Sequence, residues 1–212
     1  MEQEVMSLSL LDLAVKGGWI MIVLLLLSIL AIYIFGKKIW LITKASKIDR
    51  YFMNDIMDQM HEGKIEGALA LCKKYDSPIA RMVEKAIAHR SKTPAEVQQI
   101  MENMGNVEVQ RLEKGLSGLA SIAGGAPMIG FLGTVTGMVK AFFNMANSGN
   151  NVDITLLSGG IYEAMITTVG GLIVGIIAYF AYNFLVGRIS ALTAKMDNAV
   201  IDMMDILEDS EK

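Results

Sequence analysis

Three long apolar blocks punctuate an otherwise charge-rich chain, at residues 17–36, 115–139 and 154–187, the first two uncharged and the third with a single acid. The first runs about 20 residues without a charge, enough for a helix to cross a hydrocarbon core of roughly 30 Å. The second is preceded by Arg111 and Lys114, and the third is followed by Arg188 and Lys195. Lys37, Lys38, Lys44, Lys47 and Arg50 follow the first block, so basic flanks mark the same side at all three. Residues 147–153, Asn-Ser-Gly-Asn-Asn-Val-Asp, form a turn-rich loop without a basic residue, which suits the outer side.

The pattern predicts an all-α membrane protein with three transmembrane helices, N-terminus out and C-terminus in, whose long helices extend into a cytoplasmic helical domain. The expected layout is an outer, periplasmic segment 1–16, spans at 17–36, 115–146 and 154–187, a cytoplasmic domain 37–114, an outer loop 147–153 and a cytoplasmic tail helix 188–212. A cleaved signal peptide is the rival reading of the first span. The acids Glu2, Glu4 and Asp12 before it, and the lack of a small-residue cleavage site after it, speak against that.

Between the first two spans the periodicity is helical. Ile48, Phe52, Ile56 and Met60 recur at that spacing, as do Ile65, Leu69 and Cys72, with Gly63 between the sets. Ser77-Pro78 and Thr93-Pro94 read as caps with proline in the first helical turn. From Pro94 a charged, apolar-striped helix is expected to run into the second span without a break. In the tail, Ile189, Leu192, Met196, Val200, Met203 and Leu207 form one face.

Composition agrees with insertion in a membrane. Of 212 residues, 53% are hydrophobic, and the mean hydropathy of +0.43 is high for a water-soluble domain. With 19 Lys+Arg against 22 Asp+Glu there is no basic excess, so a nucleic-acid partner is not expected. The lone Cys72 excludes an internal disulfide. The 16 methionines read as adaptable helix-packing surface rather than as a metal or ligand box.

Glu163 changes this picture. It is the only ionisable side chain other than tyrosine in residues 154–187. An acid at membrane depth is costly and marks an ion or proton path by default. It lies about 15 Å into its helix from the outer loop, and Lys140 lies roughly 10 Å back along the antiparallel neighbour. Lys140 is thus a possible charge partner. The alternative, favoured because it sits near the end of its span, is that it snorkels to the outer interface.

Thr167 shares the face of Glu163, Thr168 is turned about 140° away to the edge of the small-residue stripe, and Thr134 sits on the second span between glycines. Each hydroxyl alone can satisfy its own helix carbonyl; together they can hydrate or bond a proton-carrying carboxyl. Gly130, Gly133 and Gly137 on the second span, with Gly171 and Gly175 on the third, give each a small face for close helix packing. Pro127 removes a backbone hydrogen bond and is expected to give a fixed kink rather than a hinge.

Other motifs fail. His61-Glu62-Gly63-Lys64-Ile65 lacks the second histidine of a zinc-protease helix, and GFLGTVTG at 130–137 lacks both the lysine of a phosphate loop and a preceding strand. No metal site, cofactor or enzymatic centre is expected.

The segments LEKGLSGLASIAGGAPMIGFLGTVTGMVKAF at 112–142 and GGIYEAMITTVGGLIVGIIAYFAYN at 159–183 closely resemble the MotA/TolQ/ExbB proton channel family, in particular its ExbB and TolQ branch. The likeness extends over all three spans and the cytoplasmic segment, including Gly63, Ala68 and Pro78, and rests on the blocks APxxGxxGTVxG and GIxEAxxTT. Thr136, where tryptophan is common in the family, and Lys140 depart from its pattern.

The resemblance implies that Thr134, Glu163 and Thr168 line a proton path. It also implies a homopentamer in the bacterial inner membrane around a dimer of a single-span partner similar to ExbD or TolR, whose membrane aspartate shares that path. Proton-motive force would then energise a TonB-like or TolA-like protein for outer-membrane transport or envelope integrity. Two further readings stand beside it. One is a non-conducting scaffold with a structural Glu163–Lys140 pair, and the other a gliding or flagellar stator-like subunit, although flagellar stators usually carry a fourth span.

Overall fold

A computed structural model describes residues 17–147 and 154–210. The expected outer segment 1–16 and nearly all of the loop 147–153 lie outside the described residues. Seven α-helices occur among those described: α1 (Gly18–Ala45), α2 (Phe52–His61), α3 (Ile65–Lys74), α4 (Pro78–Ala88), α5 (Pro94–Glu113), α6 (Leu116–Asn147) and α7 (Ile154–Ser210). Three of them, α1, α6 and α7, contain stretches long and apolar enough to cross a membrane.

The chain divides into two compact units. One comprises the described part of Met1–Phe35 together with Gly115–Asn183, and the other comprises Gly36–Lys114 with the described part of Phe184–Lys212. Helices α1 and α7 contribute to both.

The second unit has the core of a water-soluble helical domain. Phe52, Ile56 and Met60 of α2, Ala68 and Cys72 of α3, and Met82, Val83, Ala86 and Ile87 of α4 are buried with Val97 and Met101 of α5. So are Ile189, Leu192, Met196, Val200, Met203 and Leu207 of α7. The Phe52 and Tyr75 rings meet edge to face, with centroids 5.5 Å apart, an arrangement that suits the ring quadrupoles. Gly105 makes room where α5 meets the methionines: a Cβ there would lie 3.3 Å from Met82 Cε and 3.6 Å from Met196 Cε. Flexible thioethers fill such gaps well.

Local chemistry sets the helix ends. The Ser77 hydroxyl accepts from the Ala80 amide at 3.2 Å. Thr93 and Glu96 form a reciprocal capping box, the Thr93 amide donating to Glu96 Oε2 at 3.1 Å, so orphan amides at the start of α5 are satisfied. Gly63 turns the chain between α2 and α3 at φ +71°, a left-handed conformation that costs glycine little.

Two expectations are corrected. The helix from Pro94 does not continue into the second span: α5 ends at Glu113, and Gly115 takes φ +92° before α6 begins at Leu116. Only glycine adopts that conformation cheaply. Lys38 Nζ donates to the Leu112 carbonyl at 2.8 Å, satisfying one acceptor at the end of α5. The second correction concerns Ile48, which precedes α2 rather than heading its stripe, because the helix starts at Phe52.

A chain of charges ties the second unit together. Arg81 grips buried Glu108 with two hydrogen bonds, Nε to Oε1 at 2.8 Å and Nη2 to Oε2 at 2.7 Å. Its third nitrogen, Nη1, reaches Asp76 Oδ1 at 2.7 Å, and Lys44 donates to Asp76 Oδ2 at 2.8 Å. The hydrogen bond from Lys44 is the main reason the Asp76 carboxyl lies below the usual range, with Lys44 and Arg81 charges adding to it. Burial pushes the Cys72 thiol up to about 12, and the Glu84 charge adds to the effect.

Glu108→Leu should destabilise the protein by about 3 kcal/mol, because it leaves Nε and Nη2 of a partly buried guanidinium without their carboxylate, while Arg81→Met combined with Glu108→Leu should recover most of that loss; thermal unfolding in detergent measures both. A maleimide at pH 8 should label Cys72 in the folded protein on the order of 10³-fold more slowly than in the denatured chain, since the thiolate is the reacting form.

Candidate functional site

The first unit is built by contact between main chains. Helices α6 and α7 run antiparallel, with their small residues facing one another. A Cβ at Gly171 would lie 2.5 Å from the Ala126 carbonyl oxygen and 2.9 Å from Gly130 Cα. One at Gly130 would lie 2.7 Å from the Thr167 carbonyl oxygen and 3.1 Å from Gly171 Cα. The register continues both ways: Gly133 faces Thr167, Gly137 faces Ala164, Gly160 faces Ala141, and Gly175 receives the ring of Pro127. Large side chains point outward instead, as Phe131, Ile177 and Phe180 do, so close packing of small residues and not burial of large ones joins the two helices.

Pro127 is accommodated inside α6 rather than ending it. Its ring occupies the space that a side chain at position 175 would need, 2.5 Å from the would-be Cβ.

The closeness of the backbones decides what the threonines do. Thr167 is buried, and its hydroxyl donates to Ala164 O at 2.7 Å and to Gly130 O across the helix pair at 3.3 Å. Thr168 donates to the same Gly130 oxygen at 3.1 Å. Two hydroxyls of α7 therefore converge on one carbonyl of α6. Thr134 donates to Phe131 O of its own helix at 2.6 Å, and the Thr136 hydroxyl likewise turns back to Leu132 O at 2.9 Å.

Glu163 points elsewhere. With Ala164, Thr167 and Gly171 turned to α6, the adjacent face of α7 carries Glu163, Ile166 and Gly170, and this face meets α1. A Cβ at Gly170 would lie 3.0 Å from Met21 Sδ and 3.6 Å from Leu24 Cδ1, and one at Gly17 would lie 3.3 Å from Ile166 Cγ2. Glu163 Oε1 lies 2.7 Å from where a Cβ of Gly18 would stand.

The structure thus brings Gly130, Gly133, Thr167, Thr168 and Gly171 together, and Pro127 with Gly175, but sets the Glu163 carboxyl at the α1–α7 seam. Glu163 is half-buried, and no hydrogen bond or ion pair to it occurs among the described residues. Lys140 is exposed, and the described ion pairs do not include one between it and Glu163. No group of His, Cys, Asp or Glu among the described residues is placed to hold a metal ion.

The threonine hydroxyls are engaged with main-chain oxygens, so within this chain they do not hydrogen-bond the acid. Gly18 was not singled out from the sequence; the only signal was a Gly-Gly pair opening the first span. The double acceptor at Gly130 O has no side-chain signature at all.

A sequence model of the MotA/TolQ/ExbB proton channel family matches residues 74–198, a region that contains Thr134, Glu163, Thr167 and Thr168. Among curated proteins, a candidate biopolymer transport protein of Synechocystis sp., ExbB-like 1, is 31% identical over 179 residues, covering 84% of this chain and 70% of that protein. A candidate ExbB homologue of Methanothermobacter thermautotrophicus is 30% identical over 180 residues, covering 84% and 63%. The biopolymer transport protein ExbB of Neisseria gonorrhoeae is 31% identical over 154 residues, covering 66% and 69%.

Gly171→Val should destabilise the α6–α7 pair by about 3 kcal/mol, since main-chain atoms of α6 leave no room for a side chain. Gly187→Ala, where an added Cβ meets nothing within 4 Å, should stabilise α7 by about 0.5–1 kcal/mol. Unfolding by denaturing detergent, followed by helical circular dichroism, checks both.

Proposed function

Since the chain belongs to the MotA/TolQ/ExbB proton channel family, we propose that it is the multi-pass channel subunit of an ExbB-type motor in the bacterial inner membrane. It conducts protons down their gradient and delivers the energy to an envelope partner. The observation that carries this reading is Glu163: a carboxyl in an otherwise uncharged stretch of α7, half-buried and joined to no cation among the described residues.

In this reading the N-terminus is outside and the basic flanks of the spans are cytoplasmic. Several copies, five by analogy with the family, surround a single-span partner of the ExbD or TolR kind, and a membrane carboxylate on that partner shares the proton with Glu163. The outward apolar surfaces of α6 and α7 provide area for lipid, for neighbouring copies and for that partner. A TonB-like or TolA-like protein receives the work, in keeping with the biopolymer-transport names of the relatives.

The path in this reading involves Glu163, Thr134, Thr167 and Thr168. Thr167 and Thr168 contribute by holding α7 against Gly130 O, which fixes the rotation of the helix that carries the acid. Protons are the coupling ion, and no cofactor is needed. A scaffold role rests on a Glu163–Lys140 pair, and no observation here favours it.

Glu163→Gln removes the titrating group at nearly constant volume. It should reduce proton flux, in liposomes that also contain the single-span partner, to the level of empty vesicles, while leaving insertion and oligomer size unchanged. Full flux in this variant would reject the channel reading.

A further inference from the structure

We propose that Gly18, in the first turn of α1, is the positioning residue for the Glu163 carboxyl, so that α1 takes part in the proton site instead of serving only as an anchor. The inference rests on the reading of Glu163 as the proton-carrying group.

Two observations at Gly18 are independent of each other. Its φ is +65°, a conformation that glycine adopts without the Cβ clash met by other residues. Separately, the space where its side chain would stand holds the acid: a Cβ would lie 2.7 Å from Glu163 Oε1 and 3.7 Å from Cδ. Any side chain at this position must displace the carboxyl or the helix start.

The rest of the seam is firm. Ile20 and Leu24 of α1 and Ile166 of α7 are buried, and Met21 reaches Gly170. The half-buried carboxyl lies beside this packed seam, against the vacant side-chain position of Gly18. Among the described residues, positions 17–32 and 115–139 contain no ionisable side chain, so no charge from these stretches competes with the space at Gly18 for the acid.

The test uses the full chain in liposomes with its single-span partner. A water-soluble carbodiimide with glycine ethyl ester labels Glu163, and mass spectrometry of the peptide containing it gives the rate. Gly18→Ala should push the carboxyl out of the seam and raise the rate at least about fivefold, equivalent to about 1 kcal/mol, and proton flux should fall with it. Gly18→Asn, whose residue tolerates positive φ, should do the same, which separates occupied space from backbone strain. Gly36→Ala, with nothing within 4 Å of the added Cβ, should leave the rate unchanged.

In a Glu163→Asp background the shorter side chain withdraws the carboxyl, so adding Gly18→Ala should no longer alter the labelling rate. Wild-type labelling in Gly18→Ala or Gly18→Asn, an equal effect from Gly36→Ala, or persistence of the full Gly18→Ala effect in the Asp background would each overturn the proposal. Absence of flux in the wild type would instead reject the channel reading, and the labelling rates alone would then decide the role of Gly18.

Discussion

The approach of α6 and α7 to main-chain distance is the constraint on which the membrane unit depends. With the Cβ position at Gly171 falling 2.5 Å from a carbonyl of the opposite helix, neither helix can rotate without bringing a side chain into the interface. That lock turns Ala164, Thr167 and Gly171 to α6. Since a helix advances about 100° per residue, Glu163, Ile166 and Gly170 must then fall on the neighbouring face, where α1 lies. The placement of the one acid is thus a consequence of glycines on two helices.

The two units solve the packing problem with opposite chemistry. In the second, methionines, leucines and isoleucines turn inward and the exposed surface carries charge, as the hydrophobic effect requires in water. Between α6 and α7 of the first, glycine, alanine and threonine turn inward while Phe131, Ile177 and Phe180 turn out. That inversion is sensible only where the surroundings are apolar, because large side chains then gain nothing from burial and small ones gain close contact. Ionic links are correspondingly concentrated in the second unit, where Arg81 joins Glu108 to Asp76 and Asp76 joins Lys44.

Polar groups inside the first unit follow another rule. In a medium that offers few partners, a hydroxyl bonds to the nearest carbonyl, and Thr134, Thr136, Thr167 and Thr168 all do so. Gly130 O accepts two of them because no side chain at that position screens it. A carboxyl has no such option when ionised, since the carbonyls around it are acceptors too. This difference is what makes Glu163 chemically distinct from the hydroxyls that surround it in sequence.

Much of this is legible in the chain itself. The long apolar runs define the three membrane-length helices, Ser77-Pro78 and Thr93-Pro94 announce the starts of α4 and α5, and the tail stripe from Ile189 to Leu207 is buried position for position. The small-residue stripes and the isolated acid are visible as well, because they are properties of one helix and depend only on spacing. The break at Gly115 is not, since a glycine ahead of an apolar run is equally compatible with a continuing helix, and only the folded backbone reveals its positive φ. Nor are the carbonyl that Thr167 and Thr168 share or the meeting of Glu163 with Gly18 legible there. The sequence by itself determined which residues each helix could present, through periodicity and composition. Only the tertiary structure decided which helix each face would meet, because that choice depends on how closely backbones from distant parts of the chain can approach.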